Sequence, residues 1–193
     1  MVIVLDTETT GFSSKNDDIL QLAITDLQGN VLFNEYFKPV QKLVWPEAQA
    51  VNNISPEFVA DKPYIKDRLP VIQEIFSKAD IIVGYNTDFD LNFLKETGLC
   101  VNPGTKLIDV MKSFAPIMGE KADFKHQNRS YMGFKFQKLI TAAKFFNYDW
   151  ENSPHDALGD AKATAFVLRE IFLNYPKYLT DEEWVKTRGE IDR

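Results

Sequence analysis

The chain is predicted to be an α/β domain built on a mixed five-stranded sheet, with the first three strands antiparallel and the later ones parallel. Three observations point there. The apolar run Val2 to Leu5 opens the chain as a strand. Two further strand-like segments follow, separated by the turn residues Gln28-Gly29-Asn30, a spacing that makes a hairpin. Beyond residue 80, short apolar runs alternate with helical patterns, the arrangement that joins parallel strands through crossover helices.

Taken in order, the strands span Val2 to Glu8, Ile19 to Leu27 and Val31 to Phe37. Proline then punctuates the chain, and Ser55-Pro56 supplies an N-cap and a first-turn proline for a short helix. A longer helix covers Lys66 to Lys78. The β-branched run Ile81-Ile82-Val83, closed by Gly84, is a buried fourth strand, and a helix from about Asp88 to Glu96 follows it. Leu107 to Val110 is a fifth strand, and helices around Phe136 to Phe146 and Ala157 to Phe172 complete the pattern. Residues 1–175 are expected to form one domain. Residues 176–193 are a charged tail in which Thr180-x-x-Glu183 has the form of a capping box, with Trp184 packed back on the domain.

With 193 residues, 45% of them hydrophobic, the chain can bury a sizeable core as a single domain. A lone Cys100 cannot form an internal disulfide, and no leader-like segment precedes the first strand, so a cytoplasmic location is expected. No apolar run nears the roughly 20 residues that cross a bilayer, so no membrane partner is expected. A net charge of −6 argues against gripping nucleic acid through phosphates alone. The charge is uneven, however: residues 103–144 hold eight lysines and arginines against three acids, which leaves about −11 for the remainder.

Three constellations carry chemistry. Asp6 and Glu8 lie two residues apart at the end of the first strand, so alternation puts them on one face, where like charges repel unless a cation lies between them. In Gly84-Tyr-Asn-Thr-Asp-Phe-Asp-Leu-Asn-Phe-Leu94, Phe89, Phe93 and Leu94 recur at helical spacing and place Asp90 in a first turn; an isolated acid there would be explained by the helix dipole. In Pro154-His-Asp-Ala-Leu-Gly-Asp160, His155 and Asp160 converge only if His155 lies outside the regular helix, which Asp156 or Ser153 as N-cap would arrange. An isolated histidine there would merely satisfy a loop carbonyl.

The ordered set Asp-x-Glu, Asn-x-x-Phe-Asp-x-x-Phe-Leu and His-x-x-x-x-Asp resembles the DEDDh, or DnaQ-like, exonucleases, the family of the proofreading epsilon subunit of bacterial DNA polymerase III and the ribonuclease T group. The resemblance covers roughly residues 1–175. It implies a ribonuclease H-like fold, two Mg2+ or Mn2+ ions, and stepwise release of nucleoside 5′-monophosphates from a 3′ end. In such two-metal catalysis the ions lie about 4 Å apart and stabilise the attacking and leaving oxygens. On the family pattern Asp6 bridges the ions, Glu8 and Asp160 join it around the ion that activates water, Asp90 supports the second ion, and His155 is the general base.

The same resemblance places Thr9, Thr10 and Phe12 beside the terminal nucleotide. Phe93 either stacks on its base or sugar or belongs to the core, and Phe12 carries the same two readings. Asn86 either orients the Asp90 segment or forms an Asx turn. Tyr85 departs from the family's usual histidine. Asp88 adds a second acid, but residues two apart on a helix face different directions, and the Phe-Asp frame selects Asp90. The stretch 113–134 is long and basic. With its neighbours Lys135 and Phe136 it interleaves Lys121, Lys125 and Arg129 with Phe124, Tyr131 and Phe134, which is either a groove that tracks phosphates and stacks bases or a solvated loop. The expected partner is a single-stranded 3′ end, DNA rather than RNA, together with a DNA polymerase subunit if the setting is proofreading. A ribonuclease T-like exoribonuclease, or a non-catalytic nucleic-acid-binding module of the same fold, are the rival readings.

Overall fold

The computed structural model describes residues 1–126, 129–150 and 155–179, with 124–126 and 129–131 described by backbone alone. The central sheet comprises β1 (Val2–Thr9), β2 (Ile19–Thr25), β3 (Val31–Tyr36), β4 (Ile81–Gly84) and β5 (Lys106–Asp109), in the order β3-β2-β1-β4-β5. As anticipated, β1, β2 and β3 pair antiparallel, whereas β4 pairs parallel with both β1 and β5. The β2–β3 turn is closed by Asp26, whose Oδ1 accepts the backbone N–H of Gln28 and of Asn30 at 2.9 and 2.8 Å. Gly29 takes the positive φ of 88° that this turn requires.

Alternation along β1 divides the core. Ile3 and Leu5 pack with Phe33, Phe37, Ile72 and Phe76 on one face of the sheet, beneath α3 (Ile65–Ser77) and α4 (Thr87–Glu96). Val2 and Val4 pack on the other, against α7 (Ala157–Asn174), which lies across β1 and β2. The small trio Ala23, Ala157 and Ala161 lets the first turn of α7 come close to β2. No helix among the described residues is long and apolar enough to cross a membrane.

Several elements depart from expectation. A helix α1 (Pro46–Asn52) precedes the Ser55-capped α2 (Pro56–Val59), whose cap forms as foreseen. The fifth strand ends at Asp109, because that side chain caps α5 (Val110–Met118) by accepting the Met111 N–H. The basic stretch 113–134, for which no regular element was expected, is therefore partly helical, and after the left-handed Gly119 it continues as an antiparallel hairpin, β6 (Lys121–His126) and β7 (Arg129–Phe134). The helix expected over 136–146 is the shorter α6 (Leu139–Phe145). The side chains of Phe124, Lys125, Arg129 and Tyr131 lie outside the described residues, as do Ser153 and the tail residues Thr180, Glu183 and Trp184.

Candidate active site

The sheet register determines which side chains meet. Asp6 and Glu8 share a face of β1, and Glu8 stands in a cross-strand row with Gln21 on β2 and Tyr36 on β3. A register shift between Glu8 and Thr9 bends the strand where the acids lie. From the opposite face of β1, Thr7 donates its hydroxyl to Asp90 Oδ1 at 2.6 Å, holding that 2%-exposed carboxylate in the first turn of α4. The approach to α4 is tight. Asn86 adopts a left-handed φ of 75°, its N–H donates to Asp109 Oδ1, and Thr87 donates its hydroxyl to the Ile108 carbonyl at 2.8 Å.

Helix α7 delivers the third group. Asp156 is its N-cap and accepts the Gly159 N–H at 3.1 Å, which leaves His155 outside the helix, exposed, with a left-handed φ of 70°. Asp160 sits in the first turn. Glu8, His155 and Asp160 each bring a ligand atom within 4.8 Å of the other two.

These acids raise one another's proton affinity. Burial holds Asp6 well above the usual carboxylate range, reinforced by the charges of Asp90, Asp160 and Glu8. Burial pushes Glu8 up to about 8, with Asp160 adding to the shift and a hydrogen bond from Asn52 opposing it. Burial likewise raises Asp90 to about 7 against the Thr7 hydrogen bond, and Asp160 to about 7 against one from the His155 backbone. Ionising all four at neutral pH is therefore unfavourable without a counter-charge. Asp160 Oδ1, moreover, is buried with no hydrogen-bond partner among the described residues. An unpaired carboxylate oxygen facing other acids and an imidazole is a donor set of the kind that hard divalent cations take.

Residues 3–168 match the RNase T family of exonucleases. The chain belongs to that family. Among its relatives is an uncharacterized exonuclease of Escherichia phage 186, 28% identical over 175 residues that cover 86% of this chain and 85% of the phage protein. The PolC-type DNA polymerase III of Clostridium perfringens is 30% identical over 192 residues, which cover 97% of this chain but 12% of the polymerase. The fold is shared with E. coli exonuclease I, solved with a dA16 oligonucleotide: the TM-score is 0.70 at 21% identity over 92% of this chain and 42% of exonuclease I.

The remaining candidates of the exonuclease domain divide into buried and exposed side chains. Phe93 is 2% exposed and packs against Phe89 in the core, so it offers no free face to a base. Thr9 and Thr10 are also buried, with hydroxyls that serve the loop itself: Thr9 donates to the Gly11 carbonyl, and Thr10 donates to Asp17 while accepting the Asp18 N–H. The Thr10 N–H is taken by the Asp18 carbonyl. Phe12, by contrast, is 93% exposed on the rim of a cleft of about 410 Å³ whose lining includes Glu8, Lys42, Val51 and Asn52. Tyr85 turns into the core and donates to the Gln137 carbonyl, and Asp88 is exposed and paired with Lys112 at 3.0 Å, away from Asp90.

Sequence reading missed the supports of the exonuclease site. Asn52, at the end of α1, donates to the Thr9 carbonyl and steadies the bent end of β1. Gln21 and Tyr36 both donate to Asp156. The available signal was a glutamine inside the otherwise apolar Ile19 to Ile24.

Proposed function

We propose that this exonuclease domain removes nucleotides one at a time from the 3′ end of single-stranded or frayed DNA, releasing nucleoside 5′-monophosphates with the help of two Mg2+ or Mn2+ ions. The observation that carries the reading is the convergence of Asp6, Glu8, Asp90 and Asp160 beside His155. Asp6, which feels the charges of Asp90, Asp160 and Glu8 alike, would hold the ions together with those three carboxylates. Once bound there, the ions polarise the scissile phosphate and lower the pKa of water.

The chain's own groups do the rest. His155, exposed on its loop, accepts the proton of the attacking water, as a neutral imidazole can near neutral pH. Phe12 offers an open ring on which the terminal base stacks regardless of its identity. Asn52 and Thr7 keep Glu8 and Asp90 in register with the strand end. DNA is favoured because the polymerase relative is named for DNA synthesis and the structural neighbour was solved on a DNA oligonucleotide. The polymerase relative also supports proofreading or repair as the setting.

The test is a panel of single-stranded DNA, matched and mismatched duplex DNA, and RNA, each with Mg2+ and with Mn2+, alongside Asp6→Ala. Mononucleotide release from single-stranded and frayed DNA ends, abolished by Asp6→Ala, is the expected result. Faster turnover of RNA would replace DNA with RNA as the substrate, and activity that survives Asp6→Ala would overturn the site itself.

A further inference from the structure

We infer that Gln21 is a positioning residue which, by clamping the two residues that follow His155, fixes that imidazole over the carboxylates; the inference rests on the reading of His155 as general base. Gln21 is 1% exposed, and its amide is fully engaged. Its Nε2 donates to Asp156 Oδ1 at 2.9 Å and to Asn34 Oδ1 at 3.1 Å, and its Oε1 accepts the Ala157 N–H at 3.1 Å. A primary amide has two N–H donors and one carbonyl, so this arrangement accounts for all of them. The partners lie on β3 and at the start of α7, so one side chain ties the middle of the sheet to the helix that presents His155 and Asp160.

Asp156 is the hinge of this arrangement. One carboxylate oxygen caps α7 through Gly159, and the other receives Gln21 and, at 3.3 Å, the Tyr36 hydroxyl. His155, the preceding residue, sits at a φ of 70°, a conformation that a non-glycine residue holds only when its surroundings enforce it. Gln21 also stands opposite Glu8 in the β1–β2 register, so the same residue that anchors the histidine loop lies beside the carboxylate that loop must meet. A catalytic group displaced by about 1 Å can lose on the order of a hundredfold in rate, which is the leverage such a clamp has.

A purely structural role for Gln21 would lower activity whatever occupies position 155, whereas a positioning role acts only while the imidazole is there. Gln21→Met keeps the length of the side chain and removes its amide. It is expected to lower kcat roughly ten- to hundredfold, while KM for single-stranded DNA and the Mn2+ affinity change by less than about threefold. In a His155→Ala background the same change should have no further effect on kcat, a non-additivity that marks residues acting as a unit. Tyr36→Phe, which removes one hydroxyl and preserves the ring, should show the same dependence on His155 with a loss of roughly two- to fivefold, and it decides the matter if Gln21→Met does not fold. The double variant Gln21→Glu with Asp156→Asn exchanges acceptor and donor across the pair and should recover most of the kcat that Gln21→Glu loses alone. Equal losses in the presence and absence of His155 would overturn the assignment of Gln21. If His155→Ala leaves kcat unchanged, the general-base reading falls and the clamp's role with it.

Discussion

Thr7 donates its hydroxyl to Asp90 across 2.6 Å, joining the first strand to a helix 83 residues further along the chain. This bond opposes the burial that raises Asp90, so Thr7→Val should push the Asp90 carboxyl still higher and loosen its orientation. Hydrogen bonds to charged groups contribute about 1.5–3 kcal/mol. Mn2+ affinity measured by calorimetry should weaken roughly tenfold or more, and the rising limb of the pH–rate profile should move to higher pH. Asp88→Asn serves as the control. That acid is exposed and paired with Lys112, and its loss should leave affinity and rate nearly unchanged.

The shared burial of these acids sets the pH dependence of the metal-free protein. Glu8 is raised to about 8, and Asp90 and Asp160 to about 7, so in the folded chain they hold protons that the unfolded chain has already released. Their contribution to stability is complete below the ordinary carboxylate range and is lost as pH climbs through 7 and 8. In chelator, Tm should therefore fall by roughly several degrees between pH 5 and pH 8.5. Excess Mn2+ should restore it at pH 8 far more than at pH 5, because protonated carboxyls are poor ligands. A Tm that rises with pH in chelator would contradict the raised proton affinities.

Local patterns in the sequence account for much of this architecture. The apolar runs that open β1 and β2 and the Gln28-Gly29-Asn30 turn are short-range features; helical direction admits only one of Asp88 and Asp90 to the site, and the Phe-Asp frame of the family pattern selects Asp90. That an N-cap at Asp156 or Ser153 would leave His155 outside the helix was legible locally too, and the structure has Asp156 in that place. What escaped notice depends on distant partners. Gln21 meets Asp156 from 135 residues away, and nothing around either residue announces the pairing. Helix α5 was hidden because Asp109 both ends a strand and caps a helix, a handover that periodicity reads as one apolar run. Phe93 stayed open between platform and core because its helical spacing is the same whether that face meets a base or the core; its burial places it in the core.

Gly11 follows the catalytic strand, and its importance is one of space. A Cβ there would lie 2.6 Å from the Asp17 carboxylate oxygens. Asp17 has no room to yield, since it is held by the Thr10 hydroxyl, by the Ser13 N–H at 2.9 Å and by Lys42 at 2.5 Å. Gly11→Ala should cost about 1–3 kcal/mol of stability in chemical denaturation, and it should raise KM by shifting the loop that carries Phe12. Gly104→Ala, where a Cβ would meet open space, should change neither quantity.

Phe12 and Phe93 separate substrate contact from packing within one pair of measurements. Phe12 is almost wholly exposed beside the cleft, so Phe12→Ala removes little buried surface and should leave Tm unchanged. Base stacking on an aromatic ring contributes about 1–3 kcal/mol, so KM for single-stranded DNA should rise roughly tenfold. Phe93→Ala opens a cavity beside Phe89 and should lower stability by about 3–5 kcal/mol, with any activity loss tracking the unfolded fraction. A KM unaffected by Phe12→Ala would remove the exposed ring from the substrate path and shift attention to the Val51 and Lys42 side of the cleft.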